Sequence, residues 1–422
     1  MSPNSKNESV LKLITSGYLK SRDFNGVPFS ILIKITDIQY EELKNILVQL
    51  LKENKVSLVF SSIFENIHIK ALTDLPTEKQ LEKLQSDSPN DMAVYPSPQT
   101  LKQIIPEEKF AGRPFTRRLL LGEPQLHPVF FHFDVLERYL NDPRYNFNFE
   151  DNQGSISIAH KYYQSKSVAA KDKIFIQTFG LGYTASPKNR DRVIVVYLRY
   201  LSDLSPHHQQ IWNTFLVKKK CKVNGDYHRN TMGHWSEYGS IYLAFFEELK
   251  HINAMTQLMG KPNLFKNIFD GDRPREFSSF LRPTKKNYHN FVLLLDKMLS
   301  DNLRKEFFDS FGLKLKDAEG RDRGTISLLD EWLKTKIFLR DKSIIKHIVE
   351  PLKKIRKIRQ KPAHSIEENE YSRKYSSTMQ DNLIKEAYKA LRGIRLLFTN
   401  HPRVKDYKEI PDWLYKGLIR IY

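Results

Sequence analysis

Arg359 and His364 stand in the stretch IRKIRQKPAHSIEEN, at the end of a basic run, and their side chains suit work on a phosphate. An arginine offers a planar, permanently charged fork that clamps phosphate oxygens, and a histidine exchanges a proton near neutral pH. In RNA the nucleophile is already present as the ribose 2′-hydroxyl. A protein need only position it, take its proton, stabilise the crowded phosphate and protonate the leaving oxygen, and that route requires no metal. The alternative role for the same residues is a solvated helix end, where cations suit the dipole.

The two residues are five apart, which places them roughly 140° apart around a continuous helix. Pro362 disfavours helix at Lys361 and lets His364 leave that register. The Arg-x4-6-His spacing recurs at Arg229/His234, Arg282/His289, Arg340/His347 and Arg395/His401, so context has to choose among five pairs. Arg282/His289 contains Pro283 and straddles an expected boundary, and Arg340/His347 spans an expected helix break. Arg229/His234 lies in the turn-rich NGDYHRNTMGHW, and Arg395/His401 encloses the core-like Leu396, Leu397 and Phe398. Context therefore ranks Arg359/His364 first. Lys353, Lys354, Arg356, Lys357 and Lys361 surround that pair, and several share a face able to follow a nucleic-acid backbone.

The elements that must position these residues are legible as patterns. VPFSILIKI, the helical ITDIQYEELKNILVQLLKENK, VSLVFSS and NIHIKAL predict strand, helix, strand, strand. The stretch from Thr73 to Phe115 predicts a helix and then a surface connection rich in Pro, Ser and Asp. FFHFDVLERYLND predicts a helix, and GSISIAH, DKIFIQTFGLGY and RVIVVYLRYL predict strands. SPHHQQIWNTFLV and SEYGSIYLAFFEELKHINAMTQLMG then turn helical. Beyond an expected boundary near residue 280 lie four helical patterns: NFVLLLDKMLSDNLRKEFF, TISLLDEWLKTKIFL, SIIKHIVEPLKKIRKIRQ and MQDNLIKEAYKALRGIRLLFTN. The fold class expected is α+β, with residues 1–280 a mixed regulatory or targeting region, internally broken near 75–115, and residues 281–422 an all-α bundle.

An Arg-x4-6-His motif at the end of a basic helix, in a C-terminal bundle of four helices, resembles the HEPN superfamily (higher eukaryotes and prokaryotes nucleotide-binding domains). The resemblance covers about Thr284 to Pro402. It implies a metal-independent endoribonuclease, acting as a homodimer that brings two motifs to one composite site. It also implies a role as a toxin or antiphage defence effector, with a regulatory protein partner. Arg359 and His364 would carry the catalysis. Gln360 stands where the family often has Asn, Asp or His, and would orient the pair.

Composition fits a polyanion-binding protein: 422 residues carry 68 Lys and Arg against 49 Asp and Glu, a formal charge of +19. From Asp341 to Tyr422 there are nineteen Lys and Arg against ten Asp and Glu. With Cys221 alone, an intrachain disulfide and a zinc site with two thiolates are both excluded. No metal site and no cofactor is expected. P-loop, nucleophile-elbow and zinc-protease motifs are absent, and Gly180 and Gly182 lack the helix and third glycine of a dinucleotide loop. The N-terminus has no signal-peptide pattern and no apolar run approaches a membrane span, so a cytoplasmic protein without membrane contact is expected. Two other functions stay open: a noncatalytic nucleic-acid- or partner-binding bundle, and an interaction protein whose charge meets an acidic protein. Arg113, Arg117 and Arg118, in Ala111 to Phe130, mark a candidate binding loop.

Overall fold

The structure, a computed structural model, describes residues 3–64, 66–166, 168–185, 191–234, 236–271, 273–360 and 368–422. It is α+β, as two compact units: residues 1–147 with 155–224, and residues 148–154 with 225–422.

In the first unit the helices α1 (Pro3–Lys20) and α2 (Tyr40–Lys52) cover a small antiparallel sheet. Its strands β1 (Val27–Pro28), β2 (Val56–Phe60) and β3 (Met92–Pro96) run in the order β1-β3-β2. Every residue of β2 and β3 is buried, and Val10, Ile14, Leu43, Leu47 and Leu50 close over Leu58 and Val94. The larger sheet has the order β4-β8-β7-β6-β5, with β9 also pairing β7. These strands are β4 (Pro128–Phe131), β5 (Tyr145–Glu150), β6 (Gln153–Ile158), β7 (Phe175–Thr184), β8 (Arg192–Tyr197) and β9 (Cys221–Val223).

Four expectations for this unit are corrected. VPFSILIKI is a helix over Phe29–Ile35, since Pro28 enters it in extended conformation and Phe29 and Leu32 bury a helical face. NIHIKAL is a turn, because the Asn66 side chain accepts a hydrogen bond from the His68 backbone at 2.9 Å. The expected surface connection contains β3, the central strand of its sheet. FFHFDVLERYLND begins as β4 and reaches helix only at Glu137–Leu140, after a 3-10 turn over Phe133–Leu136.

The second unit is helical. Its long elements are α3 (Ile241–Leu258), α4 (Lys285–Met298), α5 (Thr325–Thr335), α6 (Ser343–Gln360) and α7 (Asp381–Thr399). Ser240 and Thr284 accept hydrogen bonds from the backbone N–H groups of Leu243 and Asn287, capping α3 and α4. Gly260, at φ +71°, ends α3 in the left-handed conformation that glycine tolerates. The pattern expected as one helix over residues 290–308 breaks after Met298. Asn302 fixes the break, donating to the Asn267 carbonyl and accepting from the Asn267 N–H. Helices α3 and α6 both pack on α7, and α4 and α5 on α6.

The unit divides from the first at residue 225, earlier than the boundary expected near 280. The reason is hydrophobic: Phe245, Leu249, Ile252 and Met255 of α3 lie in one core with Phe291, Leu352 and Ile394. No helix among the described residues is long and apolar enough to cross a membrane.

Candidate phosphate-binding site

Helix α6 buries Ile345, Ile348, Val349, Leu352 and Ile355, which leaves the residues between them to face outward or sideways. Arg356 and Arg359, one turn apart, share a flank beside α4. There they meet two carboxylates. Arg359 Nη1 donates to Asp296 Oδ2 at 2.5 Å and to Asp301 Oδ2 at 2.9 Å. Arg356 Nε donates to Asp296 Oδ1 at 3.1 Å, and its Nη2 to Asp301 Oδ1 at 2.7 Å.

Asp296 is fully buried on α4, while the Arg359 side chain keeps 30% of its surface exposed. Burial pushes the Asp301 carboxyl up, but hydrogen bonds and charge from Arg356 and Arg359 outweigh it and hold it below its usual range. The hydrogen bond to Asp296 raises the Arg359 guanidinium above its ordinary value, against its partial desolvation. Both bonds of Arg359 use Nη1. Nε and Nη2 make no hydrogen bond to a described residue, so three N–H donors remain for an anion.

Gln360 is exposed at the end of α6. His364 and Lys361 lie outside the described residues. Lys353 pairs with Glu350 at 3.3 Å and Asp330 at 3.6 Å, and Lys354 with Glu386 at 2.8 Å. With Arg356 on Asp296 and Asp301, three of the expected backbone-tracking cations are engaged by carboxylates of their own unit. Lys357 is exposed and makes no ion pair with a described residue.

Arg395, of the Arg395/His401 pair, is buried in the core and grips the equally buried Glu248 at 2.5 and 3.1 Å. It has no route to a substrate. Arg229 lies on a helix over Gly225–Thr231, where a turn-rich segment was expected, and pairs with buried Asp226 at 2.6 Å. Arg118, on the helix Pro114–Leu120 inside the expected binding loop, is tied to Glu123 at 2.5 and 2.6 Å. Gly180 and Gly182 lie within β7, and a Cβ on Gly182 would meet the Phe130 ring at 2.9 Å. Among the described residues no group of three His, Cys, Asp or Glu is spaced to hold a metal ion.

A cleft of about 530 Å³ opens elsewhere in the second unit, between the tip at Glu150 to Asn152, the start of α3 and Phe269 to Gly271. Its buried Asp151 is clamped by Arg273 at 2.8 Å and accepts a hydrogen bond from Ser240 Oγ. Burial pushes this carboxyl up despite Arg273. The arrangement fastens the tip to the cap of α3.

No family model, curated protein or solved structure matches the chain.

Asp296 and Asp301 belong to the site but to no motif in the sequence. One signal was present: Asp296 interrupts the apolar run of NFVLLLDKML, and a carboxylate on an apolar helical face needs a cationic partner. The partner itself, some sixty residues further on, leaves no local trace.

Proposed function

We propose that the helical unit is a HEPN-like, metal-independent endoribonuclease. Arg359 holds the scissile phosphate, His364 exchanges protons as general base or acid, and Gln360 orients them. The 2′-hydroxyl of the ribose loses its proton and attacks the adjacent phosphorus. The bond to the 5′-oxygen breaks, that oxygen takes up a proton, and a 2′,3′-cyclic phosphate is left on the first product.

One observation carries this reading: the Arg359 guanidinium is anchored through Nη1 alone at the exposed end of α6, five residues ahead of His364. An arginine fixed on one edge with its other donors unused is pre-organised for an oxyanion, with little side-chain freedom left to lose on binding. A homodimer is the assembly this reading implies, and a defence or toxin role follows from the resemblance. A second reading, a binding bundle without cleavage, is favoured by Gln360, which stands where the family often has Asn, Asp or His to orient the catalytic pair.

The test is cleavage of labelled RNA in EDTA by the full chain. Wild type should leave 2′,3′-cyclic phosphate ends, and Arg359→Ala and His364→Ala should each lower the rate by about 10²–10⁴-fold. Arg359→Lys keeps the charge but loses the fork, and should not restore the rate. Binding without cleavage by wild type would favour the second reading. Full cleavage by both variants would mean that another pair does the work.

A further inference from the structure

The connection between α5 and α6 carries the sequence KIFLRDK, and Phe338 within it is 92% exposed, more than any other large apolar residue in the described core and surface. Ile337 and Leu339 on either side are half-buried, so they anchor the connection while Phe338 stands clear. Around it Lys336, Arg340, Lys342 and Lys346 are all exposed, and none makes an ion pair with a described residue. The one acid in the connection, Asp341, is occupied at the start of α6. It accepts from Ser343 N at 2.8 Å and Ser343 Oγ at 2.7 Å. At the other end of α6, by contrast, Lys353, Lys354, Arg356 and Arg359 are paired, and of the described cations there only Lys357 is not.

We propose that this connection is a stacking platform for single-stranded RNA, with Phe338 taking a base and Lys336, Arg340, Lys342 and Lys346 the flanking phosphates. The proposal rests on RNA as the substrate, and it assigns the contact to the start of α6, about 25 Å along the helix from Arg359. Four cations against one carboxylate, beside a free aromatic face, combine the two features that hold single strands without reading their sequence. A second copy of the chain fits this surface poorly, because a two-fold contact would set the four cations against their own images. An anionic membrane fits poorly too, since one free ring with half-buried neighbours offers little apolar area to insert.

The experiment measures fluorescence anisotropy of a labelled oligouridine about a dozen nucleotides long, with the full chain carrying His364→Ala so that the probe survives. Phe338→Ala should weaken binding about tenfold with an unchanged thermal midpoint, and Phe338→Tyr should keep it near the parent. Arg340→Ala with Lys342→Ala should flatten the dependence of log affinity on log salt by about 0.7 per cation removed. Equal affinity for the parent and Phe338→Ala overturns the platform while leaving RNA as the substrate. A Phe338-dependent affinity in a chain whose wild type never cleaves RNA supports the platform and defeats the nuclease. No affinity for RNA, with Phe338-dependent self-association in sedimentation or binding to phosphatidylserine vesicles, overturns both.

Discussion

Two arginines of the same spacing meet opposite fates. Arg359 keeps three donors for an outside partner, whereas Arg395 spends its fork on Glu248 inside the core. Burial pushes the Glu248 carboxyl up against the pull of Arg395, so removing the arginine leaves a buried carboxyl without its cationic partner. Arg395→Ala should therefore lower stability in urea by about 3–5 kcal/mol, and joining it to Glu248→Leu should recover much of that loss. A second buried group links the first unit to pH. His208 is fully buried with Ser205 Oγ on Nδ1 at 3.2 Å, and desolvation, helped by Arg138 and His207 and opposed by Asp172, brings its pKa down to about 4. An unfolded histidine titrates near 6.5, so the unfolded chain binds the extra proton first as pH falls. The contribution is complete above the unfolded value and is lost between about 6.5 and about 4. Between pH 7 and pH 5 the loss is about 2 kcal/mol, and His208→Gln should remove that dependence in denaturant titrations at the two pH values.

At the scale of elements, the long amphipathic helices were legible because several turns of apolar spacing outweigh any local ambiguity. Helices α3, α5, α6 and α7 lie where their patterns predict. The short elements were not. VPFSILIKI is a continuous apolar run that suits a buried strand or a buried helix equally, and only its packing decides. MAVYP was hidden by the prolines and serines around it, of which Ser97 in fact caps the next helix by accepting from Thr100 N at 3.2 Å. Arg359 was legible by type and spacing; its anchors on α4 were not, since a pairing across two helices has no sequence period. The packing of α6 on α7 shows the same non-local logic. Gly393 of α7 lets the two helices approach so closely that a methyl there would sit 3.0 Å from Ile348 Cγ1. Gly393→Val should overfill this contact and cost about 1–3 kcal/mol. Gly393→Ala should be nearly neutral, because its gain in helix propensity offsets the tighter fit. Thermal melts of the two variants check the ranking.

At the scale of the whole molecule, the charge of +19 is a field that draws polyanions to the surface, but it does not say which cations are free to hold them. The pairing pattern does: among the described residues, carboxylates engage the cations at the end of α6 that a charge count favours, all but Lys357, and none of Lys336, Arg340, Lys342 and Lys346 at its beginning. The division into units follows from a similar accounting of what each element buries. A chain cut at residue 281, where composition shifts, would lose α3, and with it the partners of Phe291 and Ile394 and the carboxylate of buried Arg395. Fragment 281–422 should therefore lack a cooperative unfolding transition and be digested rapidly by protease. Fragment 225–422 keeps the single core and should unfold cooperatively. It lacks the tip residues 148–154, so Arg273 loses Asp151, and the fragment should be less stable than the same core in the full chain. Circular dichroism with limited proteolysis distinguishes the outcomes. A cooperative, protease-resistant 281–422 would show that the four C-terminal helices close a core without α3, and would return the boundary to residue 280.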